Sequence, residues 1–338
     1  MRIDMPACIR VPKKEGERVR ADLLSKGMLD IRRKIGSDER SLIIPILGER
    51  YEGYETVEAD LELLEQTPTD YKEMLEIPED LRQELPTSFD IIGDVAIIKL
   101  PDPLLQYKHK IGEAVISVNR SIRTVMMDSG VKGDLRIREL EQIAGKGTSE
   151  TVHKEFGVRI AVDPSKVYFN PRLATERSRT TSLVKDGETI IDMFAGVAPF
   201  GLVICKKARP KVVYSIDINP EAEIFVRRNM ELNRVENIIP ITGDAVEAVR
   251  GLPDADRVIM NLPQTADSFL TVALSKTKAG GTIHLHKITE RSELDDLAEK
   301  ITSDAAADGF EITISAVTEL KTYSPTMSVY VFDIKKER

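Results

Sequence analysis

Three carboxylates and a carboxamide stand where a chain could grip a nucleoside. Asp192, Asp217 and Asp244 each close a short apolar run, Thr189 to Asp192, Val212 to Asp217 and Ile238 to Asp244, and Asn261 closes a fourth within Asp254 to Pro263. Short runs of this kind bounded by turn residues are the pattern of strands buried on both faces of a parallel sheet. Asp217 falls 21 positions after Gly196, where a mononucleotide-binding fold hydrogen-bonds the hydroxyls of a ribose. Asp244 is placed to accept from an adenine amine. Polar residues at strand ends also cap helices and solvate loops, but four of them in register with a strand–helix alternation favour a ligand site.

The elements that must hold these groups are legible around the first run. Phe194-Ala-Gly-Val-Ala-Pro199 predicts a tight turn, and Phe200 to Lys207 a helix whose N-terminus faces the ligand. The turn lacks the third glycine of a dinucleotide fingerprint and any Gly-Lys-Ser/Thr, which argues against a pyrophosphate or a triphosphate. An acid at the strand end with one glycine in the turn instead resembles the first motif of the class I S-adenosylmethionine (SAM) methyltransferases. Pro220 to Asn233 has helical periodicity with Asn219 as N-cap.

The 338 residues suffice for two or three domains, and 41% hydrophobic with 31% charged content describes a globular chain. No run approaches the ~20 apolar residues of a membrane span, and the start, with Arg2 and Asp4, lacks a signal-peptide apolar region. Cys8 and Cys205, with no C-x-x-C pair, argue against a zinc module or disulfide framework, so the cytoplasm is the expected compartment. The net charge of −8 is unevenly spread: +4 over 1–48, −12 over 49–98, +5 over 99–179 and −5 beyond. Basic segments flanking one acidic stretch permit an RNA partner without demanding one.

From its start the chain reads as a small α/β module. Ala7 to Pro12 is a strand, Glu15 to Lys26 an amphipathic helix with Val19, Leu23 and Leu24 inward, and Gly27 its C-cap. Ser41 to Leu47 is a second strand, at an edge or break because of Pro45. Tyr51 to Glu76 reads as acidic linker with some short structure. Two strands around Gly93-Asp94, a helix over Leu104 to Ser121, a strand at Thr124 to Met127, and strands at Phe156 to Val162 and Lys166 to Phe169 make a mixed domain. In Asp134 to Gly145, Leu135, Ile137, Leu140 and Ile143 can face a core, leaving Arg136 and Arg138 opposite. Asn170 to Arg179 opens a helix. At the far end, Gly280 to His286 is a fifth central strand, and Phe310 to Val317 with Met327 to Ile334 a closing antiparallel pair. His284 and His286 share a strand face, but no third ligand accompanies them, so packing is favoured over metal.

Taken together, Ser88-Phe-Asp-Ile-Ile-Gly-Asp-Val-Ala-Ile-Ile-Lys-Leu100, Arg136-Ile-Arg-Glu-Leu-Glu141, Asn170-Pro-Arg-Leu-Ala-Thr-Glu-Arg177, Asp192-Met-Phe-Ala-Gly196, Ile216-Asp-Ile-Asn-Pro220 and Asn261-Leu-Pro263 resemble one family. It is the archaeal and eukaryotic tRNA (guanine-N1-)-methyltransferases that modify guanosine 37, beside the anticodon. The likeness covers nearly the whole chain, since residues 1–48 look like that family's extra N-terminal domain. Ala198-Pro199 stands where Gly-Pro is commoner, a change that a backbone contact tolerates. The resemblance implies an α/β protein with a class I (Rossmann-like) doubly wound sheet and an antiparallel C-terminal strand at 169–338. A mixed α+β domain at 67–168 would precede it, binding tRNA and completing the active site, and a tRNA-binding module with its linker would occupy 1–66. It further implies SAM as cofactor, tRNA as partner through the anticodon stem-loop and a distal region, no membrane, no metal, and a monomer.

Guanine N1 carries a proton and is not nucleophilic until it leaves, so a base is needed; the resemblance makes it Glu176. From the residues alone, the favoured reading of Glu176 is instead a helix-surface salt-bridge partner of Arg172, Arg177 or Arg179. Negative charge developing on O6 would meet Arg136, with Arg138 as fallback, and either could instead hold a phosphate. Asn261 would orient the base edge. The SAM pocket would be bordered by Tyr168, Arg177, Asp192, Phe194, Ala195, Gly196, Asp217, Ile218, Asp244, Ala245 and Asn261. The nearest rival is the aminocarboxypropyl transferase of wybutosine synthesis, which usually carries Glu-Leu-Asn-Pro and lacks Asn-Leu-Pro; Asp217-Ile-Asn-Pro220 and Asn261-Leu-Pro263 favour methyl transfer. Activity on wyosine intermediates stays open, and Glu176, Arg136 and Asn261 together argue against a SAM- and tRNA-binding protein without catalysis.

Overall fold

The computed structural model describes residues 6–64, 68–133, 135 and 137–338, which form two compact units, one ending at Asp70 and one from Tyr71 to Arg338. The first is an antiparallel sheet in the order Gly36–Ser37, Ser41–Pro45, Ala7–Pro12, Glu55–Glu58, with Ile9, Val11, Val19, Leu23 and Ile44 in its core. Three expectations change here. Ser41–Pro45 is an interior strand that ends at its proline, where the missing N–H costs no ladder bond. Glu55–Glu58 pairs with Ala7–Arg10, so part of the expected linker is a sheet edge whose acidic side chains suit it to solvent. Leu24 is exposed, because the inward face of the Gly16–Ser25 helix is taken by Val19 and Leu23, four residues apart.

The larger unit opens with a four-stranded sheet, Asp90–Ile92, Val95–Ile98, Thr124–Lys132 and Ile137–Gly145, and the helix Lys108–Val118 buries Ile111, Ala114 and Val115 there. Gly93, at φ +57°, makes the turn between the first two strands. Ile137–Gly145 buries Ile143 and Ala144 and leaves Leu135, outside it, exposed. A hairpin, Thr151–Glu155 with Val158–Val162, leads to the main sheet.

Seven strands compose that sheet: β1 (Thr189–Asp192), β2 (Val212–Asp217), β3 (Ile238–Thr242), β4 (Ala255–Met260), β5 (Thr277–Glu290), β6 (Ile312–Thr322) and β7 (Met327–Lys336). Their order is 3-2-1-4-5-7-6, parallel from β3 to β5, with β7 antiparallel between β5 and β6. The order reverses between β1 and β4, and a doubly wound sheet opens its ligand crevice at such a point. One face packs Ile190, Ile259, Phe200 and Val213 together with Ile92 and Val95 of the first sheet and Val158 and Ile160 of the hairpin. The first sheet and the main sheet therefore share a core, and the division expected at 168 is not a break in packing. The opposite face buries Ile191, Met193, Ile216, Val258 and Leu285.

Candidate active site

The turn after β1 is held by β2. The Ala195 N–H donates to the Ile216 carbonyl at 2.8 Å and the Gly196 N–H to Asp217 Oδ2 at 2.6 Å. Gly196 has φ +52°, and a Cβ there would lie 3.0 Å from the Tyr168 carbonyl, so the turn needs glycine twice over. Asp217 Oδ1 accepts from the Asn219 N–H at 2.9 Å. Asn219 in turn caps the Pro220–Asn233 helix and donates from its side chain to the Lys166 carbonyl at 2.7 Å, fastening the segment that carries Val167 and Tyr168.

A cavity opens over this turn, at the switch point. Of the residues expected there, it is lined by Tyr168, Phe194, Gly196, Asp217, Ile218, Asp244, Ala245 and Asn261. Met193, Leu262, Pro263 and Phe269 add walls, with Phe269 edge-on to Phe194 at 5.1 Å. Phe269 lies in a 3-10 turn with no motif to announce it. Asp244 caps the Ala245–Arg250 helix through Oδ1, which accepts from Val246 and Glu247. An apolar slot with a few placed polar groups suits a nucleoside.

Asp192 and Ala195 lie behind the turn, not on the cavity wall. Asp192 is fully buried, and neither carboxylate oxygen has a hydrogen-bond partner among the described residues. Burial, with the charge of Asp217 adding to it, pushes its carboxyl up to about 7, and burial raises Asp217 as well. Half-buried Asp217 on the cavity wall and fully buried Asp192 near it, with no counter-cation among the described residues, give the cavity a negative character that suits a guest carrying a sulfonium and an ammonium. The residues present therefore fit SAM.

Arg177 is not among the residues on the cavity wall. It is 1% exposed and clamps Glu155 at 2.6 and 2.5 Å, gives a third bond to the Asn170 carbonyl and lies over the Phe169 ring. These bonds join the hairpin to the Ala174–Ser182 helix. Arg138 is likewise engaged, with Asp90 at 3.0 Å and Asp128 at 3.3 Å, and Arg172 also bonds Asp90. Arg136 lies outside the described residues.

Glu176, on the Ala174–Ser182 helix, is 3% exposed and off the cavity wall. Arg179 binds it through two nitrogens at 2.7 and 2.9 Å, and the Thr180 hydroxyl donates to Oε1 at 3.0 Å. The salt bridge considered from sequence is thus formed, with Arg179. That guanidinium also grips Asp333 at 2.7 and 3.0 Å, and Asp333 reaches His284 Nδ1 at 2.6 Å. His284 Nε2 meets Arg257 at 2.7 Å, and Arg257 pairs with Glu188. Burial opposes the Asp333 charge, but His284 and Arg179 hold its carboxyl well below the usual range. Among the described residues no His, Cys, Asp and Glu side chains are grouped to hold a metal.

The sheet order, the cavity and its acids now meet the comparisons with known proteins. A model of the TRM5/TYW2 methyltransferase domain matches residues 151–314, one of the TYW2 N-terminal domain 71–148, and one of the tRNA methyltransferase 5 N-terminal domain 8–55. The chain is 40% identical over 98% of its length to tRNA (guanine(37)-N(1))-methyltransferase Trm5b of Pyrococcus abyssi, covering 99% of that protein. It belongs to the TRM5/TYW2 methyltransferase family. The crystal structure of that relative superposes with a TM-score of 0.84 over 99% of this chain and all of the other, at 39% identity. A complex of aTrm5 with tRNALeu gives 0.81 at 32% identity, over 98% of this chain and all of that one. The chain is also 30% identical over 73% of its length to a tRNA(Phe) (4-demethylwyosine(37)-C(7)) aminocarboxypropyltransferase of Methanocaldococcus jannaschii, covering 97% of that protein. By its higher, near full-length identity to the guanine-N1 methyltransferase, the chain is a SAM-dependent methyltransferase of mixed α/β fold with a Rossmann-like sheet.

Proposed function

We propose that the protein methylates N1 of guanosine 37 in tRNA. The observation that carries this is near-complete alignment with a tRNA (guanine(37)-N(1))-methyltransferase, with Asp217 and Asn261 of the discriminating motifs both on the cavity wall. SAM supplies an electrophilic methyl carbon on a sulfonium, and in-line displacement leaves the protein mainly to position, deprotonate and balance charge. Asp217 accepts from the ribose hydroxyls, Phe194, Ile218 and Phe269 enclose the adenine, and Asp192 with Asp217 offsets the cationic end. Asn261 orients the guanine edge. Glu176 takes the N1 proton, exchanging part of its grip on Arg179 for the substrate; hydrogen bonds in a ligand-free site commonly tighten or re-form only in the complex. Arg136 stabilises the developing O6 charge.

The basic residues of 1–48, a segment of net +4, hold tRNA away from the anticodon, the working unit is a monomer, and the compartment is the cytoplasm. No helix among the described residues is long and apolar enough to cross a membrane. Unmodified tRNA reacted with SAM labelled in either the methyl or the aminocarboxypropyl group tests the reading. Methyl label on N1 of guanosine 37 is expected; label retained from the aminocarboxypropyl chain overturns it.

A further inference from the structure

Beside Glu176 lies a buried histidine that makes no well-formed hydrogen bond among the described residues, with the Met260 carbonyl the backbone acceptor that influences it. His286, on β5, is fully buried, and neither ring nitrogen has a hydrogen-bond partner among the described residues. Its Nε2 is 3.7 Å from Glu176 Oε1, and its ring stands edge-on to Phe200 at 6.0 Å. An unpaired polar group in such a site is destabilising, so its presence calls for a state in which it is paired.

The charges around it indicate that state. From the Ala174–Ser182 helix it faces Glu176 and Arg179, from its own strand His284, and from β4 the Met260 carbonyl; Asp333 of β7 stands beyond His284. Burial dominates these influences and brings the His286 imidazole down to about 4, despite the pull of Glu176, so the ring is neutral near pH 7 and keeps a lone pair. Two carboxylates, Glu176 and Asp333, share the one guanidinium of Arg179. The buried group therefore carries one negative charge too many, and a single added proton restores balance. If that proton arrives on Glu176, Arg179 remains paired with Asp333. The new O–H needs an acceptor, and the bare nitrogen of His286 is the candidate at hand.

Resting on the reading of Glu176 as the base, we propose that His286 is a positioning residue that accepts a hydrogen bond from Glu176 once it holds the guanine N1 proton. In balance, the N1–H bond breaks and its proton goes to a Glu176 oxygen. The electron pair left on N1 forms the bond to the methyl carbon, and the C–S pair returns to sulfur. His286 neither touches the substrate nor takes the proton.

The test is single-turnover methylation of saturating unmodified tRNA across pH with His286→Phe, His286→Gln, Glu176→Gln and the double variant Glu176→Gln/His286→Phe. Phe keeps the contact with Phe200 and removes the acceptor. It should slow the plateau about tenfold, the worth of a hydrogen bond of roughly 1.4 kcal/mol. It should also move the ascending limb to lower pH, because the protonated form of the base has lost support. SAM and tRNA affinities should hold, Gln should recover most of the rate through its amide oxygen, and the double variant should be no slower than Glu176→Gln. A limb that stays put or moves to higher pH in both His286 variants would mean that His286 is idle or donates to the anionic carboxylate, and overturns the proposal. So does a further tenfold loss in the double variant. A slow Glu176→Gln beside a normal His286→Phe removes His286 alone; a normal Glu176→Gln removes the base itself and His286 with it.

Discussion

Asp192 closes β1 with a carboxylate that no described residue of the free protein neutralises. Its folded pKa of about 7 lies above the 3.8 of an ordinary aspartate. Between those values the folded state holds a proton that the unfolded chain has lost. The stability this group contributes is therefore full below about pH 4 and lost as pH rises through about 7, each tenfold difference in proton affinity being worth about 1.4 kcal/mol. A cationic guest reverses the sign by favouring the ionised form. Asp192→Asn should thus melt higher than the wild type at pH 8 without SAM, relative to their difference at pH 5, and bind SAM more weakly with little pH dependence. Thermal melts at both pH values, with and without SAM, check this; a wild-type SAM response in the variant at pH 8 would count against the role. At this scale the sequence exposed Asp192, Asp217 and Asn261 because they end recognisable strands. It hid Asp333, which sits within the apolar alternation of Met327 to Ile334 and meets Arg179 from 154 positions away. Nor does any local pattern show that the Arg177 guanidinium turns inward to Glu155.

At the scale of elements, that Glu155–Arg177 clamp joins a hairpin to the helix carrying Glu176. Burial works against the Glu155 charge, but His153 and Arg177 hold its carboxyl below the ordinary range. Removing one partner of a buried pair strands the other and costs about 3–5 kcal/mol. Glu155→Ala should lower the melting temperature strongly, and Arg177→Met should do so without weakening SAM binding per folded molecule. Calorimetry with SAM on Arg177→Met decides whether Arg177 is scaffold or pocket: an affinity loss of tenfold or more would return it to the pocket. The main sheet was readable strand by strand, since apolar runs closed by Asp192, Asp217, Asp244 and Asn261 follow one another between helical segments. Glu55–Glu58 was not readable, because an exposed acidic edge strand has the composition of a linker and is made a strand only by pairing with Ala7–Arg10.

For the whole molecule, charge is uneven along the chain: the first 48 residues carry +4 and the segment 99–179 carries +5, although the chain sums to −8. The first unit has its own core. Deleting residues 1–66 should weaken tRNA binding and flatten its salt dependence, since fewer counterions are released, while SAM affinity is unchanged. Filter binding across a salt series would show this; the same slope before and after deletion would assign the module elsewhere. In the proposed reaction the proton that leaves guanine N1 passes to Glu176, which is buried beside Arg179. Single-turnover methylation by wild type and Glu176→Gln across pH, with the product nucleoside identified, measures that step most directly. The expected result is 1-methylguanosine from both, a rate lower by about 10²–10⁴-fold in the variant, loss of the ascending limb, and unchanged tRNA and SAM affinities. A variant within a few-fold of wild type with the same pH profile, losing only stability, would make Glu176 a partner of Arg179 and nothing more.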